Sequence, residues 1–514
     1  MTKSNTNRPF FLLVMLIFSV IIAVSVHAEV RLPHVIGSNM VMQRDIRLPV
    51  WGWADSGETI SVSLDTNQAS VKADKDGSWM VSLYAMKAGG PYHMTIKGKN
   101  TITLENIMIG EVWVCSGQSN MQWNMINIDN SRQEIATAEY PDIRLFQIPN
   151  ITAGEPRNDI NAEWCECSNE TVRTFSAVAY FFGRDLYRKL NVPVGLINTS
   201  WGGTRIEPWT PPVGFEKVPS LQSITDEIKK ADTEYRTQIQ AFIGDTEQWL
   251  KQAKAFTHKG NPVPDPPKIP AHDLDNRVRP TGIYNTMIAP LIPFAFRGAI
   301  WYQGESNRGE GMVYHEKMKA LIRGWRTVWG QGDFPFYYVQ LAPFRYRGGV
   351  FIQPELLPEI WEAQTAALSE PNTGMVVTVD ICDVNDIHPR NKQEVGRRLS
   401  LWALAKDYGQ SGLVYSGPLF RAVTFQGNKA TVEFDHTGDG LITYDGGDPT
   451  WFQISGPDRL FYNAQAKITG HMIEVWSDEV QNPVAVRFAW HEEAEPNLMN
   501  SARLPASPFR TDAW

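Results

Sequence analysis

Ile107-Met-Ile-Gly-Glu-Val-Trp-Val-Cys115 runs without a break into Ser116-Gly-Gln-Ser-Asn-Met121. The first stretch is a nearly continuous apolar run of strand length, the pattern of a strand buried on both faces. The second is small, polar and turn-forming. In α/β proteins the carboxyl end of a buried parallel strand is where reactive groups sit. Ser119 is therefore a candidate nucleophile. It stands just before an expected helix, whose first N–H groups can stabilise an oxyanion. The same residues also read as a plain structural turn with an N-cap serine, and the stretch alone does not separate the two.

Further runs of the same kind follow it: Val194–Asn198, Ala299–Tyr302, Phe336–Leu341 and Met375–Asp380. Between them, Phe175, Val178, Phe182, Leu186 and Leu190 recur at helical spacing, as do Met318, Leu321, Ile322 and Trp325. Strands alternating with helices predict a parallel α/β sheet over residues 107–410. The region carries an insertion at about 207–280: an amphipathic helix through Ile224, Ile228, Ala231, Tyr235, Ile239 and Phe242, then five prolines between Pro262 and Pro270 that stiffen a loop. The insertion is placed to overhang a site, and the apolar face of its helix reads as packing, with partner binding the competing reading.

Both flanks read as β. Residues 29–106 hold short apolar runs, Leu48–Trp53, Ile60–Leu64 and Trp79–Leu83, separated by Gly, Asp and Asn turns. Residues 411–514 open on Val423–Phe425 and Thr431–Phe434 around Gly427-Asn428, a hairpin signal, and predict a β-sandwich. Residues 1–28 combine Lys3 and Arg8, an apolar run from Phe10 to about Val26, and Val26-His-Ala28. That is the pattern of a secretory signal cleaved after Ala28, and it predicts an exported, periplasmic or secreted chain with no membrane segment after cleavage. A membrane anchor is the competing reading of the same run.

The chain has 514 residues, 43% of them hydrophobic and 20% charged, which excludes wholesale disorder, collagen and coiled coil. With 48 Lys and Arg against 56 Asp and Glu, the formal charge is -8, and the basic face that nucleic acid requires is not expected. Cys115, Cys165, Cys167 and Cys382 are too few for a disulfide framework, and Cys165-Glu-Cys167 is too tight for the usual zinc pairs. Buried thiols and a single bridge both fit. Eighteen Trp are enough to fill a core and to leave a few for stacking on sugars.

A nucleophilic serine needs a base. Of the histidines beyond the leader, only His388 has a suggestive setting, in Asp380-Ile-Cys-Asp-Val-Asn-Asp-Ile-His-Pro389 just after the last apolar strand. Ser119 and His388 on one edge can meet above the sheet. The competing reading is a metal site of Asp380, Asp383, Asp386 and His388. Two more loops end strands: Asn198-Thr-Ser-Trp-Gly-Gly-Thr204, where Gly202 and Gly203 permit close backbone approach, and Tyr302-Gln-Gly-Glu-Ser-Asn307, where Gln303 can donate an amide N–H to the same oxygen.

Together these blocks resemble a known family. Gly110-Glu-Val-Trp-Val-Cys-Ser-Gly-Gln-Ser-Asn-Met-Gln122 resembles the nucleophile block of sialate O-acetylesterases. Ser200-Trp-Gly-Gly-Thr-Arg-Ile-Glu-Pro-Trp209, Arg279-Pro-Thr-Gly-Ile-Tyr-Asn285, Trp301-Tyr-Gln-Gly-Glu-Ser-Asn307 and Asp386-Ile-His-Pro389 are similar to later blocks. The resemblance spans essentially the whole chain beyond the leader. It implies an SGNH-hydrolase, flavodoxin-like core: three layers, α/β/α, around a parallel sheet, flanked by the two β-domains. It implies Ser119 as nucleophile, His388 as base, and oxyanion donors from the Ser119 N–H, Gly202, Gly203 and Gln303. Gln118, Asn120, Arg205 and Glu305 are the candidate substrate contacts, with Arg205 a cation for the carboxylate of a sialic acid. One position departs from the pattern: three residues before the histidine, where SGNH enzymes carry an acid, stands Asn385. Either Asp386 orients His388 or a main-chain carbonyl does. The reaction implied is hydrolysis of O-acetyl esters on sialic acids through an acetyl-enzyme, with no cofactor or metal. Acetylxylan or another plant glycan is the alternative substrate, and a non-catalytic glycan-binding protein the alternative class.

Overall fold

A computed structural model describes residues 29–346 and 353–514. The expected secretory signal lies outside these residues. Among them no helix is long and apolar enough to cross a membrane.

The central element is β1 (Thr101–Gly117), a 17-residue strand. Its first half pairs antiparallel with Gly89–Lys97 of the amino-terminal β-region. Its second half, fully buried from Ile107 to Gly117, lies in the centre of a parallel sheet. The expected boundary at 106/107 therefore falls inside one strand. The two regions also share one hydrophobic core, in which Val41, Ile60 and Ile96 join Val112, Trp113 and Phe182.

The parallel sheet is completed by β2 (Tyr140–Gln147), β3 (Trp164–Cys167), β4 (Val194–Ser200), β5 (Gly298–Tyr302), β6 (Phe336–Val339) and β7 (Thr373–Val376), in the spatial order β7-β6-β5-β1-β4-β2-β3. All neighbours are parallel except the edge pair β2/β3. The five strands expected from the apolar runs take the order 2-1-3-4-5, one of the doubly wound arrangements, in which ligands bind outside the carboxyl ends where the order reverses. The reversal falls between β1 and β5. The β2/β3 pair was not expected; β2 has only four consecutive buried residues, too few to stand out in sequence.

Helices α1 (Ser119–Gln122), α2 (Ala177–Leu190), α3 (Gln222–His258), α4 (Val313–Trp329), α5 (Leu356–Ala366) and α6 (Lys392–Lys406) connect or cover the strands. α2 begins on Ser176, whose hydroxyl accepts from the Ala179 N–H at 3.2 Å, and ends on Asn191 in the left-handed region. The inserted helix α3 runs 37 residues. Its first turns pack through Ile228 and Ala231 with Phe215, Leu221 and Ala320, while further along Tyr235 meets the His272 ring and Trp249 donates to the Pro264 carbonyl at 2.8 Å.

The carboxyl-terminal region forms two four-stranded antiparallel sheets over a separate core that includes Val432, Ile454, Ile473 and Phe488. Gln426 pairs with Lys429 across Gly427-Asn428, so the expected hairpin is present. All four cysteines are free thiols.

Candidate active site

β1 delivers Ser119 to the sheet edge by way of Gly117. At φ 140° a side chain at Gly117 would be strained, and a Cβ there would lie 2.2 Å from the Tyr302 carbonyl oxygen. This close approach lets the Gln118 N–H donate to that same carbonyl at 2.9 Å, locking the end of β1 to the end of β5. α1, which begins at Ser119, is a single turn. It is too short to lend a helix macrodipole, so any oxyanion stabilisation rests on individual N–H groups. The Ser119 N–H has no acceptor among the described residues.

The loop after β4 closes on this serine. A Cβ on Gly202 would sit 3.3 Å from the Ser119 Cβ, tighter than ordinary contact, so a glycine keeps this wall of the site in place. The Gly202 N–H donates to Gln122 Oε1 at 2.8 Å, whereas the Gly203 N–H has no acceptor among the described residues. Gln122, three residues after Ser119, was not singled out from sequence.

His388 lies on the loop between β7 and α6. Its ring stacks on the Trp123 indole, centroids 4.2 Å apart and planes 16° apart. Neither ring nitrogen hydrogen-bonds a protein group among the described residues. Asp386 does not hold the ring by a hydrogen bond: its Oδ1 accepts from the His388 main-chain N–H at 3.0 Å and stays 3.9 Å from Nδ1. Burial lowers the His388 pKa below its ordinary value, the Lys392 charge lowers it further, and Asp386 opposes both.

Two of the expected substrate contacts, Asn120 and Glu305, turn toward each other. Asn120 is 1% exposed; its Nδ2 donates to Glu305 Oε1 and, at 3.0 Å, to the Ile387 carbonyl. Its Oδ1 accepts from Lys392 Nζ. Glu305 Oε2 is shut off from solvent without a partner. Burial pushes the Glu305 carboxyl upward and the Lys392 ammonium down to about 7. Asn120 and Glu305 are thus held by each other rather than offered to a ligand.

Gln303 also points inward. It is fully buried, and its Nε2 has three protein acceptors: Asn307 Oδ1 at 2.7 Å, and Gln118 Oε1 and the Thr204 carbonyl at 3.2 Å. An amide with two hydrogens and three acceptors has none to spare for an oxyanion. Gln118, 3% exposed, receives the Gln303 N–H on Oε1, while its own Nε2 has no protein acceptor among the described residues. Arg205 is 40% exposed in its side chain, yet its guanidinium meets Glu207 at 3.1 Å and also pairs with Glu310. Lys317 bridges the same two carboxylates at 2.7 Å, so two cations face two anions and Arg205 is already neutralised. The alternative metal site fails as a ligand set: both oxygens of Asp380 are taken by Arg398, at 2.7 and 2.6 Å.

Trp123 and Lys392 are the other residues that sequence reasoning missed. Lys392 is the first residue of α6, four positions after His388 across a non-helical loop, and nothing in the sequence marked it as a neighbour of the site.

Known proteins resemble this chain over most of its length. Residues 109–258 and 274–403 match the family model described as carbohydrate esterase, sialic acid-specific acetylesterase. The human sialate O-acetylesterase is 31% identical over 93% of this chain and 92% of its own length. The mouse sialate O-acetylesterase is 29% identical over 93% of this chain and 94% of its own. The crystal structure of a carbohydrate acetylesterase from Xanthomonas citri superposes with a TM-score of 0.80 at 35% identity, covering 94% of this chain and all of that one.

Proposed function

Starting from the fact that this chain belongs to the sialic acid-specific acetylesterase family of carbohydrate esterases, we propose that it hydrolyses O-acetyl esters of sialic acids with Ser119 as nucleophile and His388 as base, on an SGNH-type core. The observation that carries this reading is the convergence of loops on Ser119. Gly202 lies so near that a Cβ on it would come within 3.3 Å of the Ser119 Cβ, and the side chain of the next residue, Asn120, bonds the carbonyl that precedes His388.

His388 takes the Ser119 hydroxyl proton as Oγ attacks the acetyl carbonyl carbon. The negative charge that develops on the carbonyl oxygen is met by main-chain N–H groups: Ser119, Gly203, and Gly202 once the Gln122 carboxamide gives way. Collapse of the tetrahedral intermediate breaks the bond to the sugar oxygen, which leaves with the proton from His388. Water then attacks the acetyl-serine as His388 accepts its proton, and collapse of the second intermediate breaks the bond to Ser119 Oγ, which takes the proton back from His388 as acetate departs. The chemistry needs no group beyond these side chains. Asp386 shapes the turn and biases the imidazole charge from 3.9 Å, so the working unit is a Ser–His dyad.

A second substrate reading is favoured by one observation. Arg205 is neutralised by Glu207 and Glu310, which leaves no free cation there for a sialic acid carboxylate and suits a neutral acetylated glycan such as acetylxylan. Acetate release from O-acetylated sialic acid and from acetylated xylan, measured with the wild type and Ser119→Ala, tests both readings. Release that persists in Ser119→Ala overturns the mechanism; release from xylan alone overturns the sialic acid assignment.

A further inference from the structure

Three strand-end loops meet beneath the site on a group of buried polar side chains that the hydrolysis itself does not use. Asn120, directly after the nucleophile, spends both hydrogen-bonding ends of its amide here. Nδ2 donates to the Ile387 carbonyl, directly before the base, at 3.0 Å and to Glu305 Oε1; Oδ1 accepts from Lys392 Nζ. Lys392 is 0% exposed, opens helix α6, and places its Nζ 5.1 Å from the centre of the Tyr302 ring. The cost of burying an ammonium this way is several kcal/mol unless it is compensated. The compensation present, one amide oxygen, one aromatic face and the nearby Glu305 carboxyl, is thin for a purely structural element. A leucine or methionine would fill the same volume without that cost.

We infer that Lys392, Asn120 and Glu305 form a positioning relay for the Ser119–His388 pair, fixing the separation of nucleophile and base through the Asn120 bridge and placing a cation behind the imidazole.

The inference rests on the reading of Ser119 and His388 as the reacting pair, and it adds two consequences. The first is geometric. The Asn120 amide links the residue after one reacting side chain to the carbonyl before the other, so a rotation of that amide moves the two loops relative to each other. Lys392 and Glu305 prevent the rotation, because one binds only the oxygen end and the other only the nitrogen end. The second is electrostatic. The groups that face Lys392 are Glu305 from the loop after β5, Asp386 and His388 from the base loop, and the Tyr302 ring. His388 itself faces Lys392 and Asp386, and Arg390 sits on the far side of Asp386 at 3.4 Å. Below neutral pH Lys392 is charged, opposes a second positive charge on His388, and keeps the base free at lower pH than an ordinary histidine.

The test is 4-nitrophenyl acetate hydrolysis from pH 4.5 to 9 by the full chain, with folding followed by circular dichroism. The variants are Asn120→Asp, Lys392→Met and Ser119→Ala. Asn120→Asp keeps the volume and the acceptor for Lys392 but loses both N–H donations and neutralises the cation. The expected result is a fall in kcat of about 10–100-fold, KM within about threefold of wild type, and an acid limb of kcat/KM displaced to higher pH; a merely structural change would lower activity without moving that limb. Lys392→Met is expected to behave alike. A chain with Lys392→Met that does not fold hands the decision to Asn120→Asp. A folded Asn120→Asp protein with wild-type kcat, or with an unmoved acid limb, overturns the relay while Ser119→Ala remains inactive. Activity surviving in Ser119→Ala overturns the underlying reading instead.

Discussion

The imidazole of His388 lies flat on the indole of Trp123, 4.2 Å between centroids and 16° from parallel. Trp123 is the residue immediately after the one-turn helix that Ser119 opens, and its N–H donates to the Ser119 carbonyl at 2.8 Å. Ser119 and His388 are therefore linked by this ring stack as well as by the Asn120 amide. Because neither ring nitrogen is hydrogen-bonded to the protein, the stack is the main restraint on ring orientation. An aromatic pair is worth ~0.5–1.5 kcal/mol beyond its buried area, and ~1.4 kcal/mol of misalignment costs about tenfold in rate. Trp123→Leu is expected to lower kcat by about tenfold, with Trp123→Phe recovering most of it. Equal losses in the two variants would show that the stack does not orient the ring.

Ser119→Ala is expected to abolish turnover by several orders of magnitude while the melting temperature holds, since what remains without a nucleophile is only ~10³–10⁴-fold over water. Gln303→Ala behaves in the opposite way. Its amide satisfies Gln118, Thr204 and Asn307 inside the protein, and each buried partner left unpaired costs ~1–3 kcal/mol. The melting temperature should drop by several degrees while the folded fraction keeps kcat within about tenfold of wild type. A loss of 10²–10³-fold in kcat at unchanged stability would restore Gln303 as an oxyanion donor.

What the sequence disclosed follows from which signals are local. The buried strands were legible because both faces of β1, β4 and β5 are covered, so apolar residues run continuously. Strand and helix alternation indicated a parallel α/β sheet, and the flavodoxin-like arrangement was implied only by the family resemblance. The site loops were legible because glycines and small polar residues cluster at strand ends. Side-chain direction was not. Asn120 directly follows Ser119 and Glu305 lies in the loop after β5, yet both turn inward, Asn120 to Glu305 and to Lys392, a partner 272 positions away. Gln303 turned inward for the same reason: a buried amide goes where acceptors are, and those acceptors come from separate loops. The amino-terminal boundary was misplaced because a strand that leaves one sheet and enters another shows no break in its residues.

Asp386→Asn separates the triad from the dyad. The carboxylate oxygen that accepts from the His388 main-chain N–H has an amide counterpart in asparagine, so the turn survives. At 3.9 Å from Nδ1 the lost charge acts only through space, where it now raises the His388 pKa. The expected result is a loss of only a few-fold in kcat and an acid limb moved to lower pH, because a base that loses its stabilising anion protonates less readily. A loss near ~10⁴ would place Asp386 on the ring nitrogen during catalysis.

Glu111 sits within β1, where its pairing with β4 begins. It is 0% exposed and receives Arg297 at 2.9 Å, Tyr408 at 2.9 Å and Gln43 at 3.0 Å, with Arg44 also paired to it. Removing one partner of such a buried cluster strands the others, at a cost of about 3–5 kcal/mol. Glu111→Ala should lower the denaturation midpoint strongly and leave kcat of the folded protein unchanged, since Glu111 lies at the amino end of the parallel segment and Ser119 beyond its carboxyl end. Near-normal stability would mean that water replaces the carboxylate.

Arg205 offers a test of how the sugar is read. Its guanidinium is half-exposed, as a substrate contact requires, but Glu207 and Glu310 already face it and Lys317 shares the same two carboxylates. Binding a sialic acid carboxylate there would require Arg205 to leave at least one of these anions, stranding charge in a partly buried cluster. If the cluster is a structural clamp between the loop after β4 and the start of α4, Arg205→Gln should weaken acetylated sialic acid and acetylated xylan alike, leaving the ratio of their kcat/KM values within about twofold. If Arg205 instead swings to the substrate, the same variant should lose about 10-fold or more on the sialic acid alone, the size of one charge-assisted hydrogen bond of ~1.5–3 kcal/mol. The KM for xylan serves as the internal control, because a neutral chain gains nothing from the cation. Glu310→Gln sharpens the comparison. It frees part of the Arg205 charge, so a substrate carboxylate within reach of Arg205 should bind more tightly in this variant, and an unchanged or higher KM for the sialic acid would place the anion subsite elsewhere.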